Sequence, residues 1–181
     1  MPYEPPPELA GLSLPDIAEL VAARKLPPLA QWHPAEVGES HMVIAADGRW
    51  YHEGGLITRP AMVRAFSSLL MRDADGCSWL VTPMQRLAIA VEDAEFVAVD
   101  VVERDDALVF RLNTDDLIVA GSDHPLRAAG DRDTPAIYVL VRNGCEARLN
   151  RSTYGQLAEI ALKTDDWSVT SQGSRFALVP Q

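Results

Sequence analysis

Two kinds of hydrophobic pattern alternate along the chain after residue 40. In short β-branched runs apolar residues alternate with polar ones, which is typical of half-buried strands. Other stretches place apolar residues three and four positions apart, which predicts amphipathic helices. The strand-like runs are residues 41–46, 49–53, 78–82, 86–91, 96–102, 107–112, 117–120, 137–141, 145–149, 167–170 and 175–179. The pattern predicts an α+β protein with mainly antiparallel sheets.

Three helices are predicted from apolar spacing and from the residues at their ends. The first begins after Ser13, a good N-cap, and ends before Pro27-Pro28, because a proline disfavours helical geometry in the residue before it. The second covers residues 59–72 with Thr58 as its N-cap. The third follows either Asn150 or Ser152. Residues 121–135 are polar and are predicted to form a loop.

A strand, a two-residue turn, a second strand and a helix occur twice in this order. The turns are Asp47-Gly48 and Asn143-Gly144, which lie 96 residues apart. We therefore predict an internal duplication with two similar subdomains, each a mainly antiparallel sheet with a helix packed on it. The predicted segments are a proline-rich N-terminal arm with one helix (1–40), an N-terminal α+β subdomain (41–94) and a C-terminal α+β subdomain (95–181).

Composition narrows the classes of partner. The 181 residues are 48% hydrophobic and have a net charge of −10, which argues against nucleic acid or anionic lipid as the main partner. No apolar stretch is long enough to span a membrane, and the N-terminus has no signal-peptide pattern, so we expect a cytoplasmic protein. The spacing of the two cysteines and four histidines fits no known metal motif, and no glycine-rich phosphate loop is present. We expect no metal and no cofactor.

The charge is unevenly distributed. Residues 41–72 and residues 142–163 each sum to +2, which leaves −14 for the remainder. In both windows arginines flank a predicted helix N-terminus, where free amide groups and the helix dipole favour an anion. Guanidinium groups also offer paired donors to phosphate or carboxylate. The two windows therefore predict a site for a small anionic ligand, unless the arginines pair with acids of the other subdomain.

Five ordered segments resemble one known family, domain of unknown function family 1285. They are AADGRWYHEGGLITR (45–59), WLVTP (79–83), VEDAEFVAV (91–99), HPLR (124–127) and ARLNRS (147–152). The resemblance covers about residues 30–165 and implies two similar α+β subdomains and a possible role in signal transduction, in small proteobacterial proteins. It implies no catalytic residue. The loop at residues 112–116 departs from the family pattern, so nothing is carried over to it.

We interpret the chain as a binding module for a small anionic ligand or a protein partner near the seam between the subdomains. Arginines would supply charge, and Trp50 or Tyr51 would supply a stacking surface, since neighbouring strand residues face opposite sides. One alternative is an enzyme using Glu92, Asp93 or His124 in acid–base chemistry; another is a homodimeric interaction scaffold. The candidate ligand-binding residues are Trp50, Tyr51, Arg59, Arg64, Glu92, Asp93, His124, Arg127, Arg148 and Arg151.

Overall fold

Most of the chain lies in two six-stranded sheets. The computed structural model describes residues 8–180, so the predicted arm prolines at positions 2 and 5–7 lie outside the described residues. The N-terminal sheet contains β1 Glu36–Ile44, β2 Trp50–His52, β3 Gly55–Leu56, β4 Leu70–Arg72, β5 Ser78–Val81 and β6 Gln85–Val91. The C-terminal sheet contains β7 Phe96–Arg104, β8 Ala107–Leu112, β9 Leu117–Val119, β10 Leu126–Gly130, β11 Pro135–Arg142 and β12 Cys145–Leu149. A separate hairpin follows, formed by β13 Ser168–Ser171 and β14 Ser174–Ala177.

The first and the third helix each begin after a residue whose side chain accepts a hydrogen bond from a free backbone amide. Helix α1, Leu14–Ala23, starts with a capping box, in which Ser13 and Asp16 each accept a hydrogen bond from the other's backbone N–H. Helix α3, Arg151–Ala161, is capped by Asn150, whose side-chain oxygen accepts from the Thr153 amide at 2.8 Å. Of the two predicted caps for α3, Asn150 is therefore the one used. No helix within residues 8–180 has the length and apolar character needed to cross a bilayer.

The two sheets share one topology, which confirms the prediction of two similar, mainly antiparallel sheets. The strand orders are β3-β2-β1-β6-β5-β4 and β9-β8-β7-β12-β11-β10. In each sheet the central pair, β1 with β6 or β7 with β12, is parallel and the other pairs are antiparallel. Equivalent strands lie about 60 residues apart, as Glu36 and Phe96 show for the first strand of each sheet. Two such sheets are consistent with an internal duplication.

The predicted 96-residue correspondence between Asp47-Gly48 and Asn143-Gly144 is wrong. Asp47-Gly48 joins the first two strands of its sheet, whereas Asn143-Gly144 joins the last two strands of the other sheet. The helix follows the third strand in the N-terminal half and the sixth strand in the C-terminal half. A hairpin followed by a helix therefore recurs in the sequence at positions that are not equivalent in the fold.

Three predicted elements, namely α2, the loop at 121–135 and β1, also differ from the structure. Helix α2 spans Pro60–Ser67 and follows Arg59 rather than Thr58, and residues 70–72 form β4 instead of continuing the helix. Leu70 is buried and pairs with Leu80 of β5, so sheet packing outweighs the helical spacing of the apolar residues. The predicted loop at 121–135 contains β10, and β1 begins at Glu36 rather than at residue 41.

One apolar core runs through both halves of the molecule. Buried side chains of the N-terminal sheet, such as Trp50 and Leu80, belong to the same cluster as Phe96 and Phe110 of the C-terminal sheet. A smaller cluster attaches the arm to the face of the C-terminal sheet opposite this core. There Leu9 and Ile17 pack against Val109 and Leu117. The described part of the arm is therefore fixed to the C-terminal subdomain, and α1 ends close to the seam between the subdomains.

Candidate functional site

A pocket of about 540 Å³ lies where the arm meets both subdomains. One wall is formed by the end of α1 and the residues that follow it, including Arg24. The other walls come from Arg64 of α2, from the turn between β8 and β9, and from the end of β11. The pocket thus joins three parts of the chain that are far apart in the sequence.

Asp116 is the buried centre of the polar side of this pocket. Its side chain is 3% exposed, and its Oδ1 atom lies 2.7 Å from Arg24 Nε and 3.8 Å from Arg64 Nη1. Its Oδ2 atom lies 3.4 Å from Arg142 Nη2 and accepts a hydrogen bond from the Thr114 hydroxyl at 2.6 Å. One carboxylate therefore holds three guanidinium groups together.

Charge in the described lining of the pocket is positive, although the chain as a whole is acidic. It includes Arg24, Lys25, Arg64 and Arg142 as cations, against the carboxylates Asp115 and Asp116. Asp115 also pairs with Arg111, whose Nη2 atom lies 2.6 Å from its Oδ1. Cationic side chains thus outnumber carboxylates in the described lining, which favours an anion as the ligand.

The electrostatics of the cluster keep Asp116 ionised. Burial acts to raise its pKa, but the positive charge of Arg142, the Thr114 hydroxyl and Arg24 outweigh burial, so the pKa of Asp116 lies below its ordinary value. Burial also lowers the pKa of Arg142, while the charge of Asp116 opposes that change. A guanidinium group keeps its proton in proteins, so Arg142 remains charged near neutral pH.

Two of the predicted site residues line this pocket. Arg64 reaches from α2 across the seam and donates a hydrogen bond to the Thr114 carbonyl at 2.5 Å. His124 also lines the pocket, and its Nδ1 lies 2.9 Å from the Leu140 carbonyl oxygen. Because a carbonyl only accepts, Nδ1 carries the proton in this contact.

Three other predicted residues form a second cluster on the C-terminal sheet. Asp93 accepts hydrogen bonds from the Tyr138 hydroxyl at 2.6 Å and from Arg148 Nη1 at 2.8 Å. Arg127 stacks on the Tyr138 ring and donates two hydrogen bonds to Glu146. Asp93 borders a separate pocket of about 300 Å³, which Arg72, Trp79 and Glu95 also line. Arg148 and Arg127 are thus paired with acids of the chain itself.

The remaining predicted residues lie elsewhere. Trp50 is buried and stacks on Phe66, so it belongs to the core, whereas Tyr51 is only partly buried. Glu92 is exposed and accepts a hydrogen bond from the Ala46 amide. Arg59 and Arg151 are exposed beside the starts of α2 and α3, and neither forms an ion pair with any residue in the described part of the chain.

The structure does not assemble an acid–base pair from the enzyme candidates. Glu92 binds a backbone amide, Asp93 belongs to the Tyr138 cluster, and His124 lines the other pocket. General acid–base catalysis needs its groups within reach of one substrate. Nor does the described chain group three or more histidine, cysteine or acidic side chains as metal ligands would be grouped.

Comparison with known families agrees with this two-part architecture. The N-terminal domain of DUF1285, a domain of unknown function, matches residues 27–94, and its C-terminal domain matches residues 95–178. The chain belongs to the DUF1285 family.

Solved structures of DUF1285 proteins have the same fold. One is the crystal structure of a DUF1285 family protein from Silicibacter pomeroyi DSS-3, which has 39% sequence identity to this chain. The two structures match with a TM-score of 0.78 over 93% of this chain and 95% of that one. Another is the crystal structure of a DUF1285 family protein from Shewanella baltica OS155, which has 21% sequence identity to this chain. It matches with a TM-score of 0.55 over 65% of this chain and 90% of that one. No curated protein is significantly similar to this chain. The comparisons establish family and fold, and they assign no ligand or activity.

Sequence inspection of this DUF1285 protein missed three residues of the pocket: Arg24, Asp116 and Arg142. Arg24 lies in the arm, outside both positive windows. Asp116 lies in the loop that departs from the family pattern and is 92 residues from Arg24. The sequence did offer one signal, because Asp115 and Asp116 directly precede the apolar strand β9. An acidic residue next to a buried strand has its carboxylate close to the core. Without the fold, nothing in the sequence pairs these residues.

Low pH should lower the free energy of unfolding of this DUF1285 protein partly through protonation of Asp116. A carboxyl whose pKa is lowered by folding stabilises the native state above its unfolded pKa of about 3.9, and this stabilisation is lost as the pH falls through the folded pKa. We expect the wild type to be more stable than Asp116→Asn at pH 7 and the difference to narrow below about pH 4. Urea unfolding at pH 7, 5, 4 and 3 measures it. A difference that stays constant to pH 3 contradicts the assignment.

Proposed function

We propose that this DUF1285 protein is a binding module for a small anionic ligand, which it takes into the pocket at the seam between the arm and the two subdomains. The observation that carries the proposal is the grouping of three arginines around one buried carboxylate on the wall of a 540 Å³ pocket. Phosphate or a carboxylate fits the paired donors of a guanidinium group, and three such groups converge at this place.

The position of the pocket supports a role in regulation or signal transduction. Arg24 belongs to the arm, Arg64 to the N-terminal subdomain and Arg142 to the C-terminal subdomain. An anion that binds all three adds a further link between parts of the chain that already meet at Asp116. Ligand occupancy would thereby change how firmly the arm and subdomains are held together, which a partner protein can detect.

A thermal-shift screen of phosphates, nucleotides and dicarboxylates tests the proposal. At a ligand concentration of about 100 times Kd, binding stabilises the native state by about 2.7 kcal/mol, which raises the Tm of a domain of this size by about 5 to 10 °C. Arg64→Gln should weaken the binding of any active compound by about tenfold or more, because a hydrogen bond to a charged group is lost.

Arg132→Gln is the matched control, because Arg132 is exposed in the loop between β10 and β11 and does not line the pocket. Each active compound should raise the Tm of Arg132→Gln by as much as it raises the Tm of the wild type. The proposal fails if no compound raises the Tm, or if Arg64→Gln and Arg132→Gln respond alike.

A further inference from the structure

Two apolar side chains near the end of α1 are exposed to solvent beside the arginines. Val21 is 43% exposed and Leu26 is 42% exposed, and both line the pocket. Elsewhere in the arm Leu9 and Ile17 are almost fully buried against the C-terminal sheet. These apolar residues of the arm are thus buried where the arm touches the sheet and exposed where it borders the pocket.

The rest of the apolar lining is aliphatic as well. It includes Leu20 of α1, Ile118 of β9 and Val141 of β11. The described lining contains no phenylalanine, tyrosine or tryptophan, and the imidazole of His124 is held against the Leu140 carbonyl. An aliphatic wall of this kind favours a flexible hydrocarbon group over a planar base, which proteins bind by stacking on aromatic side chains.

The pocket is also too large for an inorganic anion. Water occupies about 30 Å³ per molecule in the liquid, and a phosphate has only five heavy atoms. A volume of about 540 Å³ falls in the range of pockets that bind organic molecules with one charged end.

We propose that the ligand is an amphiphilic organic anion, with a phosphate or carboxylate group held by Arg24, Arg64 and Arg142 and an aliphatic group packed between the arm and the C-terminal sheet. This inference rests on the proposed function and specifies its ligand class. The arm then supplies both a charge, from Arg24, and an apolar wall, from Val21 and Leu26.

A homologous series of short-chain anions tests the ligand class with the full chain. Isothermal titration compares inorganic phosphate with methyl, butyl and hexyl phosphate, and acetate with butanoate and hexanoate. Each methylene that leaves water should lower Kd by about two- to fourfold. Whichever series binds more tightly identifies the acidic group.

Two surface substitutions separate the aliphatic contact from the charge. Val21→Ser and Leu26→Ser should each reduce the gain from methyl to hexyl phosphate by at least threefold, and leave the Kd for inorganic phosphate unchanged. Val37→Ser is the matched control, since Val37 is 58% exposed on β1 and does not line the pocket. It should keep the full dependence on chain length.

The outcomes distinguish the two proposals. If Kd does not change with chain length but still depends on Arg64, the seam pocket binds anions and the amphiphile inference is wrong. If Kd depends on the length of the alkyl group to the same extent in Val21→Ser and Val37→Ser, the aliphatic group binds elsewhere and the inference is again wrong. If none of these anions binds and the thermal-shift screen also finds no ligand, both proposals fail.

Discussion

Asp116→Asn will lower the free energy of unfolding by about 3 to 5 kcal/mol at pH 7, the usual effect of removing one partner from a buried ion pair. The asparagine has almost the same shape, so no cavity forms. The loss comes from Arg24, Arg64 and Arg142, which lie within 4 Å of the carboxylate and would be left facing one another without it. Urea unfolding followed by tryptophan fluorescence measures the change.

Asp123→Asn is the matched control. Asp123 is exposed in the loop that carries His124, and its replacement removes the same charge from the chain without touching the cluster. Its effect should stay within about 0.5 kcal/mol. Equal effects of the two substitutions would mean that net charge, rather than the three-arginine cluster, determines the stability difference.

The same variant separates a structural role of Asp116 from a role in binding. Asp116→Asn removes the negative charge that competes with a ligand for the three arginines, so affinity for an anion should rise while stability falls. An anion should then raise the Tm of Asp116→Asn by more than it raises the Tm of the wild type. A parallel loss of stability and affinity would show that Asp116 positions the arginines for the ligand.

The features that the sequence predicts correctly are local ones. Ser13 and Asn150 cap helices through hydrogen bonds to amides three residues away, and Asp47-Gly48 and Asn143-Gly144 form turns within four residues. The residue types at these positions determine the backbone geometry almost independently of the rest of the fold. Alternating apolar residues likewise predict the strands, because each sheet has one face in the core.

The features that escape prediction depend on distant contacts. Leu69 and Leu70 continue the helical spacing of α2, yet the pairing of Leu70 with Leu80 makes this segment a strand. Arg24 joins Arg64 and Arg142 at Asp116 only because the arm folds back over the C-terminal sheet. Charge counts along the chain identified positive windows but could not tell Arg64, which lies at the pocket, from Arg59, which lies in solvent.

Gly144→Ala will destabilise the protein by about 3 kcal/mol, because two independent costs meet at this residue. Gly144 has a φ of +76°, a left-handed conformation that costs an alanine about 1 kcal/mol or more. A Cβ atom at this position would also lie 2.4 Å from the carbonyl oxygen of Arg72 in β4. Overpacking of this kind typically costs a further 1 to 3 kcal/mol.

The close approach of Gly144 belongs to the seam between the two subdomains. The Arg72 amide donates a hydrogen bond of 2.9 Å to the Asn143 carbonyl, so the β11–β12 turn lies directly against β4. The clashing atom belongs to the backbone of β4, so it cannot rotate away as a flexible side chain can. Gly144→Ala should therefore loosen the seam as well as lower the stability, and hydrogen exchange at the Arg72 amide should become faster.

Gly173→Ala isolates the conformational cost. Gly173 has a φ of +79°, nearly the value at Gly144, but no other atom lies within 4 Å of the position its Cβ would take. We expect a loss of about 1 kcal/mol and no change in exchange at Arg72. The difference between the two variants, measured by urea unfolding, is then the free-energy cost of pushing the subdomains apart at the β11–β12 turn. Equal losses would mean that the turn and β4 can separate at no cost in free energy.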